Sequence, residues 1–224
     1  MPGRGRRAGP IRAGASAAGY PVAVTGIRLY RPTDRDAVAD ICVRTADDGA
    51  DATGMLSDDA IWPTIFVLPY LERHPDLAFV VTDEDDVAIG YIVCAPETRE
   101  FEDWFHDRWW PAHGAAWTAA GAAHDREAGL LRYAAERRAG AEPYGDTYPA
   151  HLHVDLLPAA QGQGWGRRLI DTLTTALRER GVSGLHLVAG AGNDAALAFY
   201  RRLGFVPVPS PEGAQAFARE LRAR

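Results

Sequence analysis

The sequence predicts an α/β (α+β) domain with one β-sheet flanked by helices, and three observations carry that expectation. Residues 77–82 and 87–95 are two apolar runs rich in valine and isoleucine, joined by an acidic turn, as in a β-hairpin. A strand-like run over 151–157 passes through a glycine-rich turn into a helical run over 165–180. Strand, helix and strand patterns then follow over 184–189, 194–203 and 205–208, giving the order β-α-α-β-β-(insert)-β-α-β-α-β.

Taken in order, residues 1–25 read as a flexible leader rich in arginine, glycine and alanine, and 26–224 as a single domain. Ile27 to Arg31 alternate apolar and basic, as a half-buried strand does. Pro32 breaks that strand, and Thr33 with Asp36 marks a helix start. Val38, Ile41 and Cys42 recur at helical spacing before the acidic loop over 46–54. The helical stretch 57–73 holds Pro63 and Pro69 and is expected as two short pieces. Residues 97–147 form a helical insert with its aromatic residues concentrated early. Phe101, Trp104 and Phe105 have core spacing, whereas Trp109-Trp110-Pro111 is harder to bury and is expected as a lid or dimer contact. A helix over 130–138 and turn residues over 143–145 close the insert. Gly181 ends the 165–180 helix where a C-cap glycine belongs.

Composition excludes several classes. The chain has 47 % hydrophobic and 24 % charged residues, ordinary for a globular domain, and lacks an apolar run of about 18 residues that could span a membrane. Cys42 and Cys94 are too few for a disulfide framework and read as small buried apolar residues in a reducing compartment. Arg4, Arg6, Arg7 and Arg12 lie in the leader, so the net charge of −6 leaves about −10 on the remainder, which repels phosphate backbones. No nucleic-acid or membrane partner is expected. Arg6-Arg7 invites a twin-arginine export reading, but Gly9, Pro10, Gly14, Gly19 and Pro21 interrupt the following segment, and the expected location is cytoplasmic. All 24 basic residues are arginine, so no lysine side chain is offered for acylation.

The chemistry lies in Leu157-Pro158-Ala159-Ala160-Gln161-Gly162-Gln163-Gly164-Trp165-Gly166-Arg167-Arg168. Glycines let the backbone approach a ligand closely, and the helix start leaves N–H groups without partners in a positive dipole field. That arrangement suits a pyrophosphate, and Arg167 and Arg168 reinforce it. A P-loop needs a lysine this chain lacks, and the glycine spacing differs from a dinucleotide fingerprint.

Gln161-x-x-Gly164-x-Gly166, after a strand ending in Leu-Pro, resembles the acetyl-CoA motif of the GNAT (GCN5-related) N-acetyltransferases. Asn193, Ala196, Phe199-Tyr200 and Leu203-Gly204-Phe205 match a second signature, and the resemblance covers about residues 26–208. His151-Leu152-His153-Val154-Asp155 followed by Gln161-Gly162-Gln163-Gly164 is similar, more narrowly, to the acetyltransferase-like domain of eukaryotic O-GlcNAc hydrolases and its free-standing bacterial relatives. The resemblance implies a mixed, mostly antiparallel sheet of about six to seven strands, splayed between strands 4 and 5. It implies acetyl-CoA as co-substrate, held by Leu156, Leu157, Gln161, Gly162, Gln163, Gly164, Trp165, Gly166, Arg167, Arg168, Asn193, Ala196, Phe199 and Tyr200. The backbone N–H near Leu157 would bind the thioester carbonyl, and those of Gly162 to Gly166 the phosphates.

Acetyl transfer needs a base for the attacking ammonium and a proton for the departing thiolate. The resemblance gives the second role to Tyr200. For the first, His151, His153 and Asp155 share one strand face; Asp155, nearest the expected splay, is the first candidate and His153 the second. No further ligand completes a metal site around them. The acids Asp47, Asp48, Asp51, Asp58 and Asp59 form a solvated loop or draw in a cationic amine. The expected acceptor is an amine-bearing small molecule or peptide, and the expected assembly a monomer or homodimer. A non-catalytic acetyl-CoA-binding or protein-interaction module would share the fold and motif.

Overall fold

Strand β1 (Val24–Leu29) opens the fold in a computed structural model that describes residues 24–221. The leader expected over 1–25 therefore falls almost wholly outside the described residues. A short 3-10 turn, Pro32–Asp34, leads into α1 (Arg35–Val43). The helix start is organised by Asp34 rather than by Thr33 and Asp36: its carboxylate accepts the Arg31 N–H at 2.7 Å and the Arg28 guanidinium at 2.7 Å. The 57–73 stretch resolves into α2 (Ile61–Phe66) and α3 (Leu68–Arg73). The break lies at Val67, whose backbone leaves the helical region, while Pro63 and Pro69 both sit in first turns where a missing N–H costs nothing.

The hairpin forms as β2 (Phe79–Asp83) and β3 (Ala88–Ala95), antiparallel. The insert contains α4 (Thr98–Trp104), a π-helical turn (Phe105–Trp109), α5 (Trp110–His113), α6 (Ala115–Ala120) and α7 (Asp125–Glu136). Then follow β4 (Ala150–Leu156), α8 (Trp165–Glu179), β5 (Gly184–Gly190), α9 (Asp194–Arg202), β6 (Val206–Val208) and β7 (Ala214–Glu220). Among the described residues the seven strands make one sheet, ordered β1-β2-β3-β4-β5-β7-β6. Every neighbouring pair is antiparallel except β4 with β5.

Strand β3 is buried along its whole length because both sheet faces are covered. Tyr91, Val93 and Ala95 face a core built with α1 to α3 and the insert, while Ile92 and Cys94 face a second core under α8. Gly181 caps α8 at φ +72, with Val182 N–H bonded to Leu177 C=O and Gly181 N–H to Arg178 C=O, a Schellman ending. Both cysteines are buried and free.

The tryptophan pair in the insert departs from expectation. Trp109 and Trp110 are 3 % and 6 % exposed, and Trp109 Nε1 donates to Thr64 C=O at 2.8 Å. The wider π turn brings Trp109 against α2 and stacks Trp110 on Phe105 at 6.1 Å, so neither serves as a lid or a dimer contact. The helix read at 130–138 starts earlier, at Asp125, and releases Arg137 from its end into the core. The insert is thus structural: Phe101, fully buried, stacks on Tyr70 at 4.4 Å and meets His151 edge-on at 5.3 Å. Replacing Phe101 with alanine should cost about 3–5 kcal/mol in urea unfolding, the usual loss for a buried Phe; a loss below about 1 kcal/mol would show the insert to be an appendage.

Candidate active site

Strands β4 and β5 each have seven residues yet pair at only two positions, Ala150 with Leu185 and His151 with His186. Beyond them β4 stays on β3 as far as Leu156, and β5 stays on β7 as far as Gly190. The strands therefore part, and a groove of about 830 Å³ runs from the split to the glycine-rich turn and α9. Leu157 N–H donates to Ile89 C=O on the β3 side at 2.9 Å. Main-chain direction alternates along a strand, so Leu156 N–H points the other way, towards the split. The expectation that Leu157 offers the free N–H is corrected by one residue.

At the mouth, Gly162 and Gly164 adopt φ +73 and +81, which glycine alone enters at little cost. Gly164 is the N-cap of α8 and no side chain caps that end. The first helical bond there runs from Arg168 N–H to Gly164 C=O, leaving the preceding N–H groups without helical acceptors. Gln161 Nε2 ties the turn back to Leu156 C=O at 2.8 Å, and Gln163 Nε2 ties it to Ala159 C=O at 2.7 Å. A Cβ on Gly166 would stand 2.9 Å from the Phe199 ring, so this glycine lets α8 and α9 touch. Leu156, Gln161, Gly162, Gly164, Trp165, Gly166, Arg167, Asn193, Ala196, Phe199 and Tyr200 all line the groove. Of the expected set, Leu157, Gln163 and Arg168 do not; the Arg168 guanidinium stacks 4.5 Å from the Trp165 ring instead.

On the opposite wall, Asn193 caps α9 by accepting Ala196 N–H at 3.0 Å and donates to Asp48 C=O at 2.8 Å. The Tyr200 ring is fixed against Phe199, Phe205 and Phe217, and its hydroxyl has no hydrogen-bond partner among the described residues. Burial, then the nearby Asp155 charge, raises its pKa, so it stays protonated. Of the five loop acids only Asp48 lines the groove. Asp47 pairs with Arg126, Asp58 accepts from Trp117, and Asp51 and Asp59 cap the backbone of Thr53 and Gly54.

His151, His153 and Asp155 do share one face of β4, on the side of the insert. Tyr91 stands opposite Asp155 in the β3–β4 register, and its hydroxyl donates to Asp155 Oδ2 at 2.5 Å. Burial pushes the Asp155 pKa up to about 6 against the lowering effect of the Tyr91 hydrogen bond. His151 is structural: its Nδ1 lies 2.8 Å from Thr98 Oγ1, and its Nε2 accepts from Arg137 at 3.0 Å. His153 Nε2 lies 3.1 Å from Tyr70 Oη, and burial with the Arg137 charge holds its pKa down at about 3. Tyr91, Tyr70 and Arg137 escaped the sequence reading. Nothing distinguishes Tyr91 within a uniformly apolar strand; only the register with β4 would have found it. No group of three His, Cys, Asp or Glu side chains among the described residues is placed to hold a metal ion.

Comparison with known proteins agrees with this architecture. A model of the acetyltransferase (GNAT) family matches residues 49–205. The crystal structure of SsHAT is 37 % identical and superposes with a TM-score of 0.79, covering 88 % of this chain and 98 % of that one. The structure of yncA from Salmonella typhimurium, which holds its cofactor acetyl-CoA, shares the fold at 19 % identity and a TM-score of 0.52, over 90 % of this chain and 95 % of that one. A mycothiol acetyltransferase of Nocardia farcinica is 45 % identical over 65 residues, 29 % of this chain and 20 % of that protein, so this chain spans about a fifth of that relative.

The carboxyl of Asp155 should titrate near pH 6 in a ¹³C NMR experiment, and Tyr91→Phe should move it higher, since the hydroxyl stabilises the charged form. A wild-type titration near 4 would contradict the geometry described for this pair.

Proposed function

The chain belongs to the acetyltransferase (GNAT) family, and we propose that it transfers an acetyl group from acetyl-CoA directly to an amine. The observation that carries this reading is the split between β4 and β5, with unpaired main-chain groups on one side and an uncapped helix start at its mouth. The backbone N–H groups from Gly162 to Arg167 hold the pyrophosphate, as the dipole and orphan donors of α8 favour. The pantetheine arm lies along β4, and Leu156 N–H receives the thioester carbonyl. Leu157 and the side chains of Gln163 and Arg168 support the turn rather than touch the ligand. Residues 26–224 act as one domain, with 97–147 as its insert. The finer likeness of His151 to Gly164 to the acetyltransferase-like domain of O-GlcNAc hydrolases and its bacterial relatives is part of the same proposal. So is a cytoplasmic location.

Asp155 takes the proton from the acceptor ammonium, because its pKa of about 6 leaves it ionised yet basic at neutral pH. His153, at about 3, is too weak a base for that step and stays neutral. The freed amine forms a C–N bond at the acetyl carbonyl carbon as the C–S bond breaks; Tyr200 gives its proton to the thiolate, and the second proton, shed by the nitrogen as it becomes an amide, restores the Tyr200 hydroxyl by way of solvent. The sign of the pH dependence follows: turnover rises as Asp155 ionises, through about pH 6.

Two measurements test this. Acetyl-CoA at a hundredfold excess over its Kd should stabilise the protein by about 2.7 kcal/mol. Gly164→Asp should abolish most of that shift and Gly164→Asn should keep it, since both side chains tolerate positive φ and only one is charged. With an amine acceptor, Asp155→Asn should lower turnover about 10²–10⁴-fold and remove the rise near pH 6. Unchanged stability with saturating acetyl-CoA would sink the proposal, and binding without turnover on any amine would favour the non-catalytic module.

A further inference from the structure

A second cavity of about 240 Å³ adjoins the groove on the insert side of the sheet, and shares Phe66, Leu152, His153 and residues 187–190 with it. Two nitrogens of the residues lining it are buried without any hydrogen-bond partner, Nε of Arg137 and Nε2 of His186. Each residue is 1 % exposed. Buried polar atoms are nearly always satisfied, so two orphans at one cavity call for an explanation.

The two are opposite in sense. Arg137 Nε carries a hydrogen and can only donate; the other guanidinium nitrogens already serve Tyr70 Oη, His151 Nε2 and Ile65 C=O. His186 Nδ1 lies 2.8 Å from Tyr148 C=O, and a carbonyl can only accept, so Nδ1 holds the ring proton. Burial keeps the imidazole neutral, with a pKa near 4, and Nε2 is then a bare lone pair that can only accept. Around them the walls are apolar or aromatic, chiefly Phe66, Tyr133 and Leu187.

Charge narrows the occupant further. An ammonium would face the Arg137 guanidinium, which is held inside four aromatic rings and pairs with no carboxylate among the described residues. A carboxylate would face the Glu142 carboxylate, which lines the same cavity, and the His186 lone pair. An uncharged group that accepts on one side and donates on the other meets neither penalty and completes both orphans. The amide is the planar form of that group.

We propose that this cavity is a subsite for an uncharged amide-type group on the acceptor, read by the Arg137 Nε–H as donor and His186 Nε2 as acceptor. Assigning the occupant to the acceptor rests on the transferase reading; the recognition chemistry does not. Benzamide, benzoate and benzylamine share one ring and differ only in the group tested. Each is titrated into the full chain carrying ¹⁵N-histidine, with and without saturating CoA. Benzamide should give a saturable shift of the His186 Nε2 resonance towards lower frequency, the mark of an accepted hydrogen bond, and the other two should not. Arg137→Lys keeps the charge and removes the Nε–H, and should weaken benzamide about tenfold, as expected for one bond to a charged donor. If that variant fails to fold, the three-probe comparison on the wild type decides alone. No shift with benzamide in either state, or an equal response to benzoate, overturns the proposal. Failure of acetyl-CoA to bind would sink the transferase reading instead, since the benzamide shift needs no turnover.

Discussion

The rest of the structure is arranged around the point where β4 and β5 stop pairing. After His151 and His186 each strand follows its outer neighbour, β3 on one side and β7 on the other, and the sheet opens. The inner C=O of Leu152, both main-chain groups of Val154 and the N–H of Leu156 then have no strand to meet, and each would cost about 1–3 kcal/mol if left dry. An extended ligand with its own amide groups relieves that cost. The glycine turn at the mouth extends the same logic: Gly162 and Gly164 hold positive φ so that α8 can begin without a side-chain cap, its donors facing the groove.

The polar face of β4 divides its work through one buried cation. Arg137 lies 5.0–5.7 Å from the ring centres of Tyr70, Phe101, Phe105 and Tyr133 and bonds to Tyr70 and His151. Its field, added to burial, keeps His151 and His153 neutral. Asp155, two residues further along and paired with Tyr91, is left as the member of the face whose pKa lies near neutrality. The insert supplies Arg137, Phe101 and Phe105, so it belongs to the machinery of the site as well as to the core.

What the sequence disclosed follows from the range of the signals. The hairpin, the turn at Gln161 to Gly166 and the helix end at Gly181 are local patterns, and each was legible. The alternation of His151, His153 and Asp155 was legible too, because a strand has a period of two. Strand β7 was not read: its alternating alanines, with Gln215, Phe217 and Arg219 between them, carry little β preference, and it becomes a strand by filling the place between β5 and β6. Tyr91 and Arg137 gain their roles from contacts 64 and 14 residues away. Trp109 and Trp110 were misplaced because a π turn breaks the 3.6-residue period that the reading assumed.

A crystal structure with acetyl-CoA bound measures the central claim most directly. The account places the thioester carbonyl within hydrogen-bond distance of Leu156 N–H, the pyrophosphate on the N–H groups from Gly162 to Arg167, and the sulfur within reach of the Tyr200 hydroxyl. A ligand lying outside the split, or a carbonyl bonded anywhere but to β4, would contradict it.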